Sequence, residues 1–219
     1  VENAELLPEL DYDTMGALSR AGAKVLHASA VELAAELGVV IHARATSGVS
    51  TQTKIQRAKS SVPRAVAVAS DRGVLLRAAL LSTSSEGMER QEVIAQLMGC
   101  MDTHEVQHMT WSGEAWTGWL SRTQRDDVDH AVTALRTQFS SLSIAGATLE
   151  TRDCATVSVI GPTVSELRGL LPEVTAALKT AEIPLLRMEQ ESETIRIYVA
   201  SQHEHGATRE LHKHLSVGP

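Results

Sequence analysis

"AVAVASDRGVLLRAALL", residues 65 to 81, decides how this chain is folded. Two apolar runs, 65–70 and 74–81, read as strands, parted by the polar and glycine residues Asp71, Arg72 and Gly73. The second run opens a block. A helix is expected over about 87–100, with Ile94, Leu97, Met98 and Met101 along one stripe. Strands follow near 105–111 and 115–121. "DDVDHAVTALRTQF" (126–139) is an amphipathic helix, because Val128, Ala131, Val132, Leu135 and Phe139 recur at helical spacing. Asp126 and Asp127 in its first turn complement the helix dipole. A strand near 142–149 closes the block.

A second block repeats the order. "ATVSVI" (155–160) is a strand, and Leu167, Leu170, Leu171, Val174 and Leu178 mark a helix. Pro172 is awkward inside that helix, so it is expected to begin only near there or to be kinked. Strands follow near 184–190 and 194–200, where Ile195, Ile197 and Val199 alternate with polar residues. A last helix carries Ala207, Leu211 and Leu215. The offset between blocks is about 80 residues, a duplication and not a repeat array.

Both blocks read β-α-β-β-α, one strand short of a ferredoxin-like β-α-β-β-α-β unit. The first block has its closing strand at 142–149; the second runs out of chain. The orphan run 65–70 is therefore expected to pair in the sheet formed by 155–160 and 194–200 as the missing strand, and not only with 74–81. The fold class is then α+β, with two ferredoxin-like units, one inserted in the other. The first is 71–150; the second is 65–70 plus 151–219.

Upstream, Asp11 or Asp13 caps a first helix with Met15 and Leu18 on one face, and Gly22 interrupts it. A second helix from about Ser29 carries Ala30, Leu33, Ala34 and Leu37, with Gly38 as its stop. "VVIHARA" (39–45) reads as a strand. "TSGVSTQTKIQRAKSSVP" (46–63) is polar, rich in Ser and Thr, and reads as a linker. Residues 1–58 thus form a helix-and-strand tail ahead of the blocks.

Composition narrows the function. With 20 Lys+Arg against 27 Asp+Glu the net charge is −7, and no basic stripe suits nucleic acid. No apolar run approaches the ~20 residues that span a membrane, and no signal peptide is visible. Cys100 and Cys154 fit no metal-ligand spacing, and a reducing cytoplasm is the simpler setting for two cysteines. The chain opens on Val1, as a fragment or a processed chain would.

"LPELDYDTMGALSRAGAKVLHASAVELAAELGVVIHARA" (7–45) resembles the end of the amino-acid-kinase domain of aspartate kinases. Gly22, Ala23, Lys24, Val25, Leu26 and His27 match the family's Gly-Ala-Lys-Val-Leu-His-Pro in register, and Ala28 replaces its Pro. "AVAVASD" (65–71) resembles the strand that opens the family's regulatory region. "ATVSVIGPTVSELRGL" (155–170) resembles the start of its second ACT module. "ESETIRIYVA" (191–200) and "ATRELHKHL" (207–215) resemble the strand pair and closing helix.

The resemblance implies the regulatory part of an aspartate kinase in lysine, threonine and methionine biosynthesis. The parent reaction is phosphoryl transfer from MgATP to the aspartate side chain. ATP and Mg are then the parent's cofactors and none is expected here, because the family's Gly-rich phosphate-binding start has no counterpart. Lys24 and Val25 would be remnants of the nucleotide site. A homodimer through ACT units and a catalytic subunit are the implied partners, with lysine or threonine as effector.

ACT modules bind amino acids at the connection between first strand and first helix. Free N–H groups at a helix start receive the carboxylate, and a negative group receives the ammonium. Here these connections are "STSSEGMERQ" (82–91) and "GPTVSELRGL" (161–170). The candidates are Ser84, Glu86, Gly87 and Met88 in the first, Gly161, Glu166, Arg168 and Gly169 in the second, and Ser192 and Glu193. Gly87 and Gly169 allow close backbone approach. Arg168 can pair with Glu166, and Arg90 competes in the first connection. The family's Ser-Asp-x-Pro-Gly loses its Asp and Pro here, which predicts a weak or absent response to lysine and threonine. The alternative is a degenerate ACT-containing dimerisation or regulatory module that binds no small ligand. His203, His205, His212 and His214 match no zinc spacing, and Trp111, Trp116 and Trp119 are expected to pack in a core or a dimer contact.

Overall fold

The structure is a computed structural model that describes residues 4–46, 51–57, 67–80, 90–112, 115–141, 147–161, 164–191 and 193–215. The chain divides into two compact units, one of residues 1–71 with 155–219 and one of residues 72–154. Two 14-residue strands, β4 (Ala67–Leu80) and β7 (Ala147–Ile160), cross the boundaries between them in sequence.

The 72–154 unit contains α3 (Arg90–Thr103), β5 (Gln107–Ser112), β6 (Ala115–Ser121) and α4 (Val128–Ser141). β6 lies antiparallel to both β5 and β4. The helical stripes face one core: Leu97 and Met101 of α3, and Val128, Ala131, Leu135 and Phe139 of α4, pack with Val74, Leu76, Ala78, Trp116 and Leu120. Met98, read as part of the same stripe, is instead exposed. Asp127 precedes α4, and its carbonyl accepts from the Ala131 N–H at 3.0 Å. Arg125 holds the Asp127 carboxyl below its ordinary value, and Arg122 does the same for Asp129 in the first turn. Trp116 and Trp119 are buried, and the Trp111 and Trp116 rings meet edge to face at 5.7 Å.

The other unit contains α5 (Val164–Thr180), β8 (Arg187–Glu191), β9 (Thr194–Val199) and α6 (Glu204–His214). β9 lies antiparallel to both β7 and β8. Ala155, Val157, Val159, Ile195, Ile197 and Val199 meet Leu170, Val174, Leu178, Ala207, Leu211 and Leu215 in one core. The opposite face is also buried. Arg196 is only 4% exposed and reaches Glu191 at 3.1 Å, while Tyr198 donates to Glu189 at 2.8 Å. In hydrogen-bonding order the larger sheet reads β5-β6-β4-β7-β9-β8.

The same unit carries the N-terminal segment: β1 (Glu9–Leu10), α1 (Tyr12–Arg20), α2 (Ala28–Leu37), β2 (Ile41–Arg44) and β3 (Gln52–Ile55). These strands form a small sheet ordered β1-β3-β2. Tyr12, Met15, Val31, Ala34 and Ile55 make its core. Asp11 caps α1, accepting from the Thr14 N–H at 2.6 Å. Gly38, at φ 66°, closes α2 in the left-handed region.

Several expectations are corrected. The runs 65–70 and 74–81 are one strand across 67–80, because the backbone stays extended through Asp71 and Arg72 and Gly73 pairs with Ser121; residues 65, 66 and 81 lie outside the described residues. A Cβ at Gly73 would strike the Leu120 carbonyl and lie 2.6 Å from Trp119 Cζ2, so the glycine admits a close neighbour. The runs 142–149 and 155–160 are likewise one strand from Ala147, with 142–146 outside the description. The linker 46–63 contains β3, whose Ile55 is fully buried. Tertiary pairing here overrides a polar local sequence. α5 starts at Val164 and runs through Pro172. Its start is announced by Thr163-x-x-Glu166, a capping-box pattern.

Candidate functional site

Two of the described candidates, Gly161 and Glu193, meet at one rim of the 1–71 and 155–219 unit, where β7 ends and β8 turns into β9. The Gly161 N–H donates to the Glu193 carbonyl at 2.9 Å, tying the two turns together, and Gly161 is buried. Glu193 is half-buried. Its carboxyl is raised above the ordinary value of 4.5, first by burial and then by the negative field of Asp13 and Asp11, with Arg20 opposing. The rim is thus a place where negative charge is already crowded. α5 leaves it at Val164, and an α-helix exposes free N–H groups and a partial positive charge at its start.

This places the second set of candidates differently from the sequence reading. Arg168 and Gly169 are not in a connection but within α5, both exposed. A Cβ added to Gly169 would meet nothing within 4 Å. Its backbone N–H is committed to the helix ladder, so Gly169 supplies space and not a donor. Ser84, Glu86, Gly87 and Met88 lie outside the described residues, as do Ser192 and the side chain of Glu166. The pairings proposed for Glu166 and Arg90 therefore fall outside the description as well.

Lys24 and Val25 occupy the turn between α1 and α2. Both are exposed, Val25 by 60%. Sequence reasoning missed what holds that turn. α1 ends in a Schellman motif: the Gly22 N–H donates to Ser19 O at 3.2 Å, and the Ala23 N–H donates to Leu18 O at 3.0 Å. Gly22 adopts φ 95°, and a Cβ there would stand 2.7 Å from Ser70 O and 2.8 Å from Asp71 Cβ. Ala17, Ala21, Ala69 and Ile160 pack as a small cluster beside this contact, with Leu18 and Ala23 against it. Ser70 Oγ in turn donates to Glu204 Oε1 at 2.9 Å, at the start of α6. The detectable signal was Gly22 itself, a glycine at the end of a helical pattern.

Among the described residues, no three His, Cys, Asp or Glu side chains are grouped to hold a metal ion, and no helix is long and apolar enough to cross a membrane.

No protein-family model and no curated protein matches the sequence. Solved structures do. Aspartokinase III of E. coli in complex with aspartate and ADP, in its R state, superposes with a TM-score of 0.79 at 20% identity, over 99% of this chain and 48% of that one. The same enzyme in complex with lysine and aspartate, in its T state, gives 0.72 at 21% identity, over 98% of this chain and 47% of that one. The ligand-free regulatory subunit of aspartate kinase from Thermus thermophilus gives 0.54 at 15% identity, over 69% of this chain and 97% of that one. The chain spans about half the length of the aspartate kinases it matches. Across nearly its whole length, then, this chain has a fold found in aspartate kinases, and across about two thirds of it a fold found in their regulatory subunits.

Proposed function

We propose that this chain is the allosteric, amino-acid-sensing region of an aspartate kinase, with the tail of the catalytic domain attached. The observation that carries the reading is the two-step match. A regulatory subunit accounts for 69% of the chain, about as much as lies beyond residue 66, while whole kinases account for nearly all of it. Two ferredoxin-like ACT modules, one nested in the other, agree with the strand order β5-β6-β4-β7-β9-β8. Each half of β4 and β7 would serve one module.

In this reading residues 1–58 belong to a kinase domain. Leu33, Leu37, Val39 and Val40 are 56, 68, 52 and 42% exposed, an apolar face in keeping with a segment that packs on a catalytic half. Lys24 and Val25 sit in an open turn, where a nucleotide pocket would need further walls from that half. The parent enzyme would use MgATP to phosphorylate aspartate. The effector would be lysine or threonine, its carboxylate received at the α5 start and its ammonium by the acidic rim at Glu193. Pairing of ACT units would cover sheet edges in a homodimer, and the setting would be cytoplasmic.

The test is a melting curve in the presence of single amino acids. A ligand at ten times its Kd stabilises the folded state by ~1.4 kcal/mol, or about 3–6 °C for a chain of this size. A rise with lysine or threonine at millimolar concentration supports the reading. No rise with any amino acid would instead favour a degenerate module that only dimerises or docks.

A further inference from the structure

α1 packs on the second regulatory unit at its far end, and its start lies in the electrostatic field of the rim. At its start, Asp11 and Asp13 lie in the field of Glu193. At its end, Ala17, Ala21 and the Gly22 turn press on Ala69, Ser70, Asp71 and Ile160. Ile160 and Glu193 are the two margins of the candidate rim, bridged by the Gly161 to Glu193 hydrogen bond. Lys24 and Val25 begin two residues beyond Gly22.

We propose that α1 and its Gly22 turn are the coupling element through which the rim at Ile160, Gly161 and Glu193 and the Lys24–Val25 turn fix one another's position. This rests on the regulatory reading above and names its route. The contact is built from alanines and a glycine, so backbones approach closely and little slack remains to absorb a displacement. α1 is nine residues long, about 13 Å, and moves as one body. A ligand ammonium at the rim would relieve the repulsion among Glu193, Asp11 and Asp13 and draw the start of α1 inward. The far end, seated on Ser70 and Asp71, would pivot and carry Lys24 with it. Ser70 extends the contact to α6 through its bond to Glu204.

The experiment needs no effector. Amide hydrogen exchange is measured on the 219-residue chain, comparing wild type with Gly22→Ala. The control is Gly38→Ala, which also places a side chain at positive φ but meets nothing within 4 Å. Gly22→Ala is expected to speed exchange about tenfold both in 12–26 and at the rim, 155–161 and 193–199, leaving 128–141 unchanged. Gly38→Ala is expected to act only around 34–41. Faster exchange in 12–26 with an unmoved rim would overturn the proposal, as would no change in either. Should Gly22→Ala fail to fold, Ser70→Ala is read in the same way, with an expected rise of about threefold at both places. The two readings fail separately. An unmoved rim sinks the coupling and leaves amino-acid sensing standing, while a flat lysine and threonine titration does the reverse.

Discussion

Two helical leucines make opposite demands of the same substitution. Leu135 of α4 is fully buried in the 72–154 core, whereas Leu37 of α2 is 68% exposed. Leu135→Ala removes three carbons, ~2.4 kcal/mol at ~0.8 kcal/mol each, and the incompletely collapsed cavity raises the cost to ~3–4 kcal/mol. Leu37→Ala loses little buried surface and gains helix propensity, so its effect should stay within ~0.5 kcal/mol. Urea unfolding separates them. All three tryptophans, Trp111, Trp116 and Trp119, lie in the 72–154 unit, so their emission reports that unit, while far-ultraviolet circular dichroism reports both. With a slope of ~2–3 kcal/mol/M, Leu135→Ala should lower the emission midpoint by more than ~1 M. Leu37→Ala should move neither signal by more than ~0.25 M. Equal shifts would refute the assignment of inside and outside. A cost above ~1 kcal/mol at Leu37, rising with protein concentration, would show that a second copy covers the α2 face.

Other expectations follow from particular side chains. The raised carboxyl of Glu193 means that stability falls as pH rises from the ordinary 4.5 through the raised value, so Glu193→Gln should melt higher than wild type at neutral pH. That advantage should vanish below about pH 4, and a pH-independent difference would rule out the charge as its cause. Burial pushes the Cys154 thiol to about 11. A thiol reagent at pH 8 should therefore label Cys100 first and Cys154 only after denaturant is added; two equally fast thiols would contradict the packing. Gly118→Ala would drive a methyl into Val106 Cγ1, and calorimetric melting should show a loss of ~1–3 kcal/mol. Gly169→Ala has open space and should stabilise α5 by ~0.5–1 kcal/mol; a destabilised variant would mean that the site is not solvent-facing.

What could be read in advance follows a physical division. The stripe of α4, the Asp11 cap, the Gly38 stop and the alternation Ile195, Ile197, Val199 are local signals, and the structure carries each of them. The long strands were hidden because Asp71 and Gly73 look like a turn until Trp119 and Leu120 of a neighbouring strand are in place. β3 was hidden because Gln52, Thr53 and Lys54 are polar, and only Ile55 is deeply buried. A periodicity argument puts Leu33 and Leu37 inside, since it registers an apolar stripe but not which neighbours are present to cover it.

The candidate site was half legible. Gly161 and Glu193 do meet at one rim, yet nothing in the spacing of residues 161 and 193 says so. Arg168 and Gly169 were misplaced because Pro172 argued for a late helix start, while Thr163-x-x-Glu166 argued for an early one. Pro172 stands in the interior of α5, where proline is costly, yet the helix begins at Val164 and runs through it. The seat of Gly22 on Ser70 and Asp71 joins residues nearly fifty apart, and no local pattern reveals it.

The most direct measurement is isothermal titration calorimetry of lysine and of threonine into the chain, repeated with Glu166→Ala and Glu193→Gln. The account predicts saturable but weak binding of at least one of them, with Kd near the millimolar range or about −4 kcal/mol. Both substitutions should weaken it several-fold, because each removes a negative partner for the ammonium. The absence of saturable heat from either amino acid would contradict a sensing role, and binding untouched by both substitutions would contradict the rim at Gly161 and Glu193 as its site.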